Sequence, residues 1–141
     1  MNHSEISSFI WGTADLLRSS FKQHEYGDII LPFTVMRRLD VVLEPTKQAV
    51  LEVAAKQLPE PLRDTMLKKA AGVDFYNTSR FTMRELLADA DGIRENLTNY
   101  VTSFSPEISD IFDKFKIFEV IKDLDDNDLL YMVASGSAAP A

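Results

Sequence analysis

The stretch of sequence that decides the fold is Asp28-Ile-Ile-Leu-Pro-Phe-Thr-Val-Met-Arg-Arg-Leu-Asp-Val-Val-Leu43. Wound as a helix, it is apolar on nearly every side, which predicts the central and most buried helix of the fold. Pro32 falls near the first predicted turn, where its missing N–H costs little. The rest of the chain is interpreted around this element.

Helix signals recur on both sides of that stretch. Glycine is scarce, with five residues, and caps or breakers fall about every 10 to 15 residues. The first helix should begin at Ser4, and its buried stripe should be Ile6, Phe9, Ile10, Thr13 and Leu17. Together these signals predict an all-α domain of about seven or eight helices, with at most one short extended segment near residues 73–80.

Individual residues mark where the later helices begin and end. Thr82 to Glu85 forms a capping box, and Gly72 is placed to close the helix that Pro61 opens. The remaining start signals are Pro45, Asp91, Ser105-Pro106 and the acidic run Asp125-Asp-Asn-Asp128. The acidic run is interpreted as negative charge at the start of the last helix.

Length and composition restrict the class of protein. The 141 residues fit one domain, and the absence of cysteine together with the lack of a signal-like start suggests a cytoplasmic protein without a membrane span. A net charge of −7 disfavours a free-standing nucleic-acid binder, so any DNA contact must come from a local patch. Residues 1–133 are predicted to form the domain, and 134–141, rich in Ala and Ser, a flexible tail or truncation boundary.

Residues for catalysis, cofactor binding or metal binding are not predicted in this chain. The glycines, at positions 12, 27, 72, 92 and 136, are too dispersed for a phosphate-binding loop. His3 and His24 have no carboxylates at ligand spacing. The acidic run also lacks the glycine and glutamate of a calcium loop.

Two groups of cations are the candidate DNA-binding residues. Arg37 and Arg38 point about 100° apart on an otherwise apolar helix, so at least one should face a partner or a phosphate. The alternative is an ion pair within the domain, with Asp40, Glu44 or another acid. The second group flanks Phe75-Tyr-Asn77 and consists of Lys68, Lys69, Arg80 and Arg84. Cations interleaved with aromatics suit phosphate or base contacts, although Phe75 and Tyr76 are better explained as core residues that join two helices.

Three separated blocks of sequence resemble a known family. They are Ile10-Trp-Gly-Thr-Ala-Asp-Leu-Leu-Arg18, Glu25-Tyr-Gly-Asp-Ile-Ile-Leu-Pro-Phe-Thr-Val-Met-Arg-Arg-Leu-Asp40 and Phe75-Tyr-Asn-Thr-Ser79. In this order they are similar to the N-terminal helical domain of the modification subunit of type I restriction-modification systems. The resemblance extends from about Ser8 to Val133.

The resemblance implies a parent enzyme that uses S-adenosylmethionine to methylate adenine N6 in DNA. It also implies three protein partners: a specificity subunit, a second modification subunit and a restriction subunit. In that family the cofactor and catalytic motifs lie in a domain that follows this one, so no catalytic residue is carried over to this chain. The domain is therefore expected to assist subunit assembly and DNA enclosure.

Two other functions are compatible with parts of the sequence. A stand-alone helical adaptor without enzymatic activity would use its apolar last helix to dock on a partner. A helix-turn-helix transcription factor is disfavoured, because its recognition helix needs an exposed polar face and residues 28–43 are mostly apolar.

Overall fold

The computed structural model describes residues 3–137, and the side chains of residues 4–136. Nine α-helices lie in this range: α1 His3–Leu17, α2 Tyr26–Leu43, α3 Lys47–Ala54, α4 Leu62–Ala71, α5 Met83–Leu86, α6 Ile93–Thr102, α7 Pro106–Lys114, α8 Ile117–Asp126 and α9 Leu130–Ser137. Helix α5 is a single turn, and the other eight have at least eight residues. The all-α prediction is confirmed: in the described range, the extended segment forms one isolated antiparallel bridge, Asn77 to Phe104.

Helix α2 differs from its prediction in two respects. It begins at Tyr26, after a 3₁₀ turn, so Pro32 lies inside the helix rather than near its first turn. More importantly, the helix is buried on one side only. Phe33 is fully buried, whereas Leu31 and Val42 are 51% and 50% exposed. The prediction of the most buried helix is therefore wrong for the outer face of α2.

The core lies between α2 and the C-terminal helices. Fully buried side chains from α2, α6, α7, α8 and α9 pack in one cluster, which includes Phe33, Leu97, Phe112, Leu124 and Val133. The ring of Phe104 lies 5.4 Å from that of Phe112 and 5.2 Å from that of Tyr100, in tilted and edge-on arrangements. Helix α9 packs against both α1 and α2, so it closes the core.

The N-terminal helix follows its predicted stripe in part. Phe9, Thr13 and Leu17 are buried as predicted. Ile10, however, is 38% exposed, and Trp11 is 72% exposed on the side of the helix opposite the core. The prediction of Ile10 as a core residue was wrong, because α9 and α2 cover a stripe too narrow to include it.

Helix caps were predicted with mixed success. The Thr82–Glu85 capping box is present, and Gly72 ends α4 with φ of 78° in the left-handed region. Asp91 does not cap α6, because Gly92 takes the N-cap position and donates its N–H to the Asp89 carboxylate. Ser105 stands at the N-cap of α7, but its hydroxyl accepts a hydrogen bond from the Tyr76 N–H instead of capping the helix.

The first half of the acidic run lies at a helix end and not at the predicted helix start, whereas Asp128 stands in the turn two residues before α9. Asp125 and Asp126 belong to the last turn of α8, where the helix dipole disfavours negative charge. Cations offset this cost: Arg94 pairs with Asp125 at 3.1 Å, and Lys122 pairs with Asp126 at 2.8 Å.

The end of the described chain is helical. Helix α9 continues through Ser137, and Ala134 is fully buried. The helix thus extends into the region predicted as a flexible tail, while residues 138–141 lie outside the described residues. The domain boundary at residue 133 stays a prediction.

Candidate functional site

The predicted DNA-binding cations lie on three separate parts of the fold. Arg37 and Arg38 are neighbours on α2, but Arg37 is 6% exposed, whereas Arg38 lies on the exposed face. A guanidinium buried to this extent is poorly placed to reach a phosphate in solution. Of this pair, the geometry favours Arg38 for contact with a partner or with DNA.

Lys68 and Lys69 on α4 have different surroundings. The Lys68 ammonium lies between two carboxylates, 3.2 Å from Asp64 and 2.6 Å from Glu107. These hydrogen bonds raise the pKa of Lys68 above its ordinary value, and the Lys68 ammonium lowers the pKa of Glu107. The charge of Lys68 is therefore compensated within the domain, while Lys69 is exposed.

Arg80 and Arg84 are both exposed and lie four positions apart. The Arg80 guanidinium lies 4.7 Å from the centre of the Phe81 ring, a cation–π arrangement that holds it at the surface. Arg84 belongs to α5, whose start is fixed to α2 by a 3.1 Å hydrogen bond from the Met83 N–H to Asp40. The segment that carries Arg80 and Arg84 is therefore held in place at the surface of the domain by these two contacts.

The segment 75–79 is part of the scaffold. Tyr76 is 4% exposed, and its hydroxyl donates to Asp64 at 3.1 Å. Burial, followed by the neighbouring carboxylate of Asp64, raises the pKa of Tyr76 to about 12. The segment pairs with residues 103–105 through Thr78 N–H to Ser103 and Ser105 N–H to Tyr76, both at 3.0 Å. The structure thus places Tyr76 in the core and not on a base-stacking surface.

A polar network inside the domain was not predicted from the sequence. Asp40 on α2 accepts hydrogen bonds from the Tyr100 hydroxyl at 2.8 Å and the Met83 N–H at 3.1 Å. Lys47 donates to Asn77 at 3.0 Å and lies 5.6 Å from the centre of the Tyr100 ring. The Asn77 amide also donates to the backbone oxygen of Tyr100 at 2.8 Å. The network therefore joins α2, α3, α5, α6 and the 75–79 segment.

Burial shifts the ionisation of this network. Desolvation raises the pKa of Asp40, although the hydrogen bonds from Tyr100 and Met83 oppose the rise. Desolvation lowers the pKa of Lys47 to about 8, against the attraction of Asp40 and Glu85. Burial and the nearby Asp40 carboxylate raise the pKa of Tyr100 well above its ordinary value. One sequence signal was available: Asp40 is an acid near the C-terminal end of a mostly apolar helix.

The described residues form neither a metal-ion site nor a membrane-spanning helix. No group of three or more His, Cys, Asp or Glu side chains in the described range is arranged to hold a metal ion. None of the described helices is long and apolar enough to cross a membrane.

These features define an all-α domain with an internal polar network, exposed arginines and an outer helix face that is apolar. The family model described as the HsdM N-terminal domain matches residues 6–135, nearly the whole chain. The chain therefore belongs to this family, the N-terminal domains of the modification subunits of type I restriction-modification systems. No curated protein and no solved structure gives a significant match.

Proposed function

We propose that this domain helps a type I DNA adenine-N6 methyltransferase to assemble and to enclose its DNA. The observation that carries the proposal is the family match over residues 6–135. In this proposal the domain contacts the specificity subunit, a second modification subunit or the restriction subunit. The adenine is extruded and methylated by residues outside this chain.

The distribution of charge supports a local and limited contact with DNA. The whole chain carries a net charge of −7, so its overall field repels phosphate. Arg80 and Arg84 are the best-placed cations, since both are exposed and belong to one short segment. Arg38 and Lys69 are exposed elsewhere, whereas Lys68 is compensated by Asp64 and Glu107.

The geometry of α2 disfavours the alternative of a helix-turn-helix transcription factor. A recognition helix presents polar side chains to base edges. The outer face of α2 instead presents Leu31, Val41 and Val42, which are 51%, 42% and 50% exposed. Such a face suits contact with protein better than contact with DNA.

S-adenosylmethionine is assigned in this proposal to another part of the parent enzyme. Cofactors of this kind are commonly held by closely spaced glycines, and this chain has none closer than 15 positions apart. We therefore expect no binding in a calorimetric titration of the isolated chain with S-adenosylmethionine. Micromolar binding, or methylation of DNA by the chain alone, would overturn this division of tasks.

Reconstitution tests the assembly role. The chain is mixed with purified specificity, modification and restriction subunits, and complexes are separated by size-exclusion chromatography. We expect the chain to co-elute with at least one subunit, and DNA retention by the full assembly to fall when residues 1–137 are deleted from the modification subunit. Co-elution with none of them would contradict the proposal and favour the adaptor alternative.

A further inference from the structure

Helix α2 has an uncovered side that the domain itself does not use. We call it the α2 outer face. It consists of the exposed Leu31, Arg38, Val41 and Val42, with the half-buried Thr34 and Val35 between them. Of these, Val35 also packs against the core. These residues lie on one side of the helix, opposite the buried Phe33 and Met36. Arg38 is the one charged residue of the face, and no ion pair of Arg38 occurs among the described residues.

The size of the α2 outer face suits a helix. From Leu31 to Val42 it extends about 16 Å along the axis, which is three turns. Leu31, Val41 and Val42 keep 51%, 42% and 50% of their surface exposed. Exposed apolar side chains at both ends of a three-turn stretch, with Arg38 between them, form a surface that another helix can cover with its own side chains.

A cleft continues the α2 outer face at its N-terminal end. Its volume is about 430 Å³, and Leu31 belongs to both the cleft and the face. Phe115 and Val120 contribute to its apolar wall. Its charged residues are four acids and two bases: Glu25, Asp28, Glu119, Asp123, Lys114 and Lys116. The cleft is therefore acidic on balance, while Arg38 makes the middle of the face basic.

This order of charges argues against two occupants. DNA is disfavoured because the carboxylates of the cleft would repel phosphate, and because apolar side chains offer it no hydrogen bonds. A second copy of this chain is also disfavoured. In an antiparallel pairing centred between Leu31 and Val42, the two Arg38 side chains would be offset by about 5 Å along the axis. A parallel pairing would place them directly opposite each other. In either pairing the two positively charged side chains would repel each other.

We propose that the α2 outer face and its cleft bind an amphipathic helix of another subunit of the assembly. The apolar stripe of that helix covers Leu31, Val41 and Val42. A carboxylate of the helix pairs with Arg38, and a lysine or arginine enters the acidic cleft, about 15 Å further along α2 near Asp28. This inference rests on the proposed function, because it names the surface and the chemistry of the partner.

Site-specific cross-linking tests the proposal directly. The chain has no cysteine, so Leu31→Cys and Val42→Cys each introduce a unique site for a benzophenone label. Photolysis of the reconstituted assembly should join both positions to one helical segment of another subunit, with acidic and basic residues in the stated order. Ile111→Cys, 41% exposed on α7, is the matched control and should not link to that segment.

Affinity measurements with charged variants complete the test. Leu31→Asp and Arg38→Glu should each weaken binding of the chain to the cross-linked subunit by about tenfold or more. Ile111→Asp should change it by less than about twofold. Because these positions are exposed, thermal unfolding should be unchanged. Replacement of the partner's paired carboxylate residue by lysine should restore the affinity of the Arg38→Glu variant.

The outcomes separate the two proposals. Normal assembly by Leu31→Asp, or links from Leu31 and Val42 to DNA or to a second copy of this chain, would overturn the docking inference and leave the proposed function intact. Failure of the unmodified chain to join any subunit would overturn both.

Discussion

The hydroxyl of Tyr100 donates a 2.8 Å hydrogen bond to the carboxylate of Asp40, which lies 60 positions earlier in the chain. This contact joins α6 to α2 in the interior, where Tyr100 is 1% exposed. The same carboxylate oxygen holds the start of α5 through the Met83 N–H. One half-buried acid thus fixes the relative positions of three helices.

Removal of the Tyr100 hydroxyl should therefore destabilise the domain. Tyr100→Phe keeps the ring but deprives the half-buried Asp40 carboxylate of a donor, and it should lower the free energy of unfolding by about 1–3 kcal/mol in urea titrations. Tyr26→Phe is the control, since Tyr26 is partly buried outside this network, and it should cost less than about 0.5 kcal/mol. Equal effects of the two changes would contradict the importance assigned to the Asp40 contact.

Lys47 should make stability depend on pH. Its pKa falls from 10.5 to about 8 on folding, so between pH 8 and 10 the unfolded chain binds a proton that the folded chain has lost. Stability due to Lys47 therefore rises with pH in this window. The raised pKa of Tyr100 acts in the opposite direction, but at more alkaline pH.

The measurement is the slope of the free energy of unfolding between pH 8 and 10. Lys47→Met should make this slope more negative than in the unmodified chain, whatever its effect on total stability. Lys56→Met, at an exposed position outside the network, should leave the slope unchanged. A slope that Lys47→Met does not alter would show that this amine titrates alike in both states.

The exposed arginines should matter more for DNA binding than the compensated lysine. In the reconstituted enzyme, Arg80→Glu with Arg84→Glu should weaken DNA binding and reduce its salt dependence. Lys68→Gln should have little effect, because Asp64 and Glu107 already offset the charge of Lys68. The readout is affinity by fluorescence anisotropy at several salt concentrations. A Lys68→Gln effect as large as that of the arginine pair would reverse this ranking.

Core packing around Phe112 should contribute a large part of the free energy of unfolding. Phe112 is fully buried, with its ring 5.4 Å from that of Phe104. Phe112→Ala should cost about 3–5 kcal/mol, because it removes buried apolar surface and leaves a cavity. Phe118→Ala removes the same atoms from a side chain that is 44% exposed and should cost less than about 1 kcal/mol. Similar melting temperatures for the two variants would refute the assignment of Phe112 to the core.

Local signals in the sequence were sufficient for the fold class and for several boundaries. The Thr82–Glu85 capping box and the Gly72 helix end could be predicted because each depends on residues within one helical turn. Asp91 misses the N-cap of α6 by one residue, and Asp125 and Asp126, predicted at a helix start, lie at the end of α8. Aspartates suit several turn positions, and the cations that stabilise Asp125 and Asp126 at the end of α8 include Arg94, far away in the sequence.

The sequence by itself determined an all-α domain and, through three separated blocks of residues, a resemblance to the family whose model matches residues 6–135. Tertiary structure decided which surfaces are free. In the folded domain Arg37 is buried and Arg38 is exposed, and the charge of Lys68 is offset by Asp64 and Glu107. The α2 outer face is left without a partner helix within the described residues. The physical reason is that helix periodicity states which residues share a face, whereas burial and charge compensation depend on elements that meet only after folding.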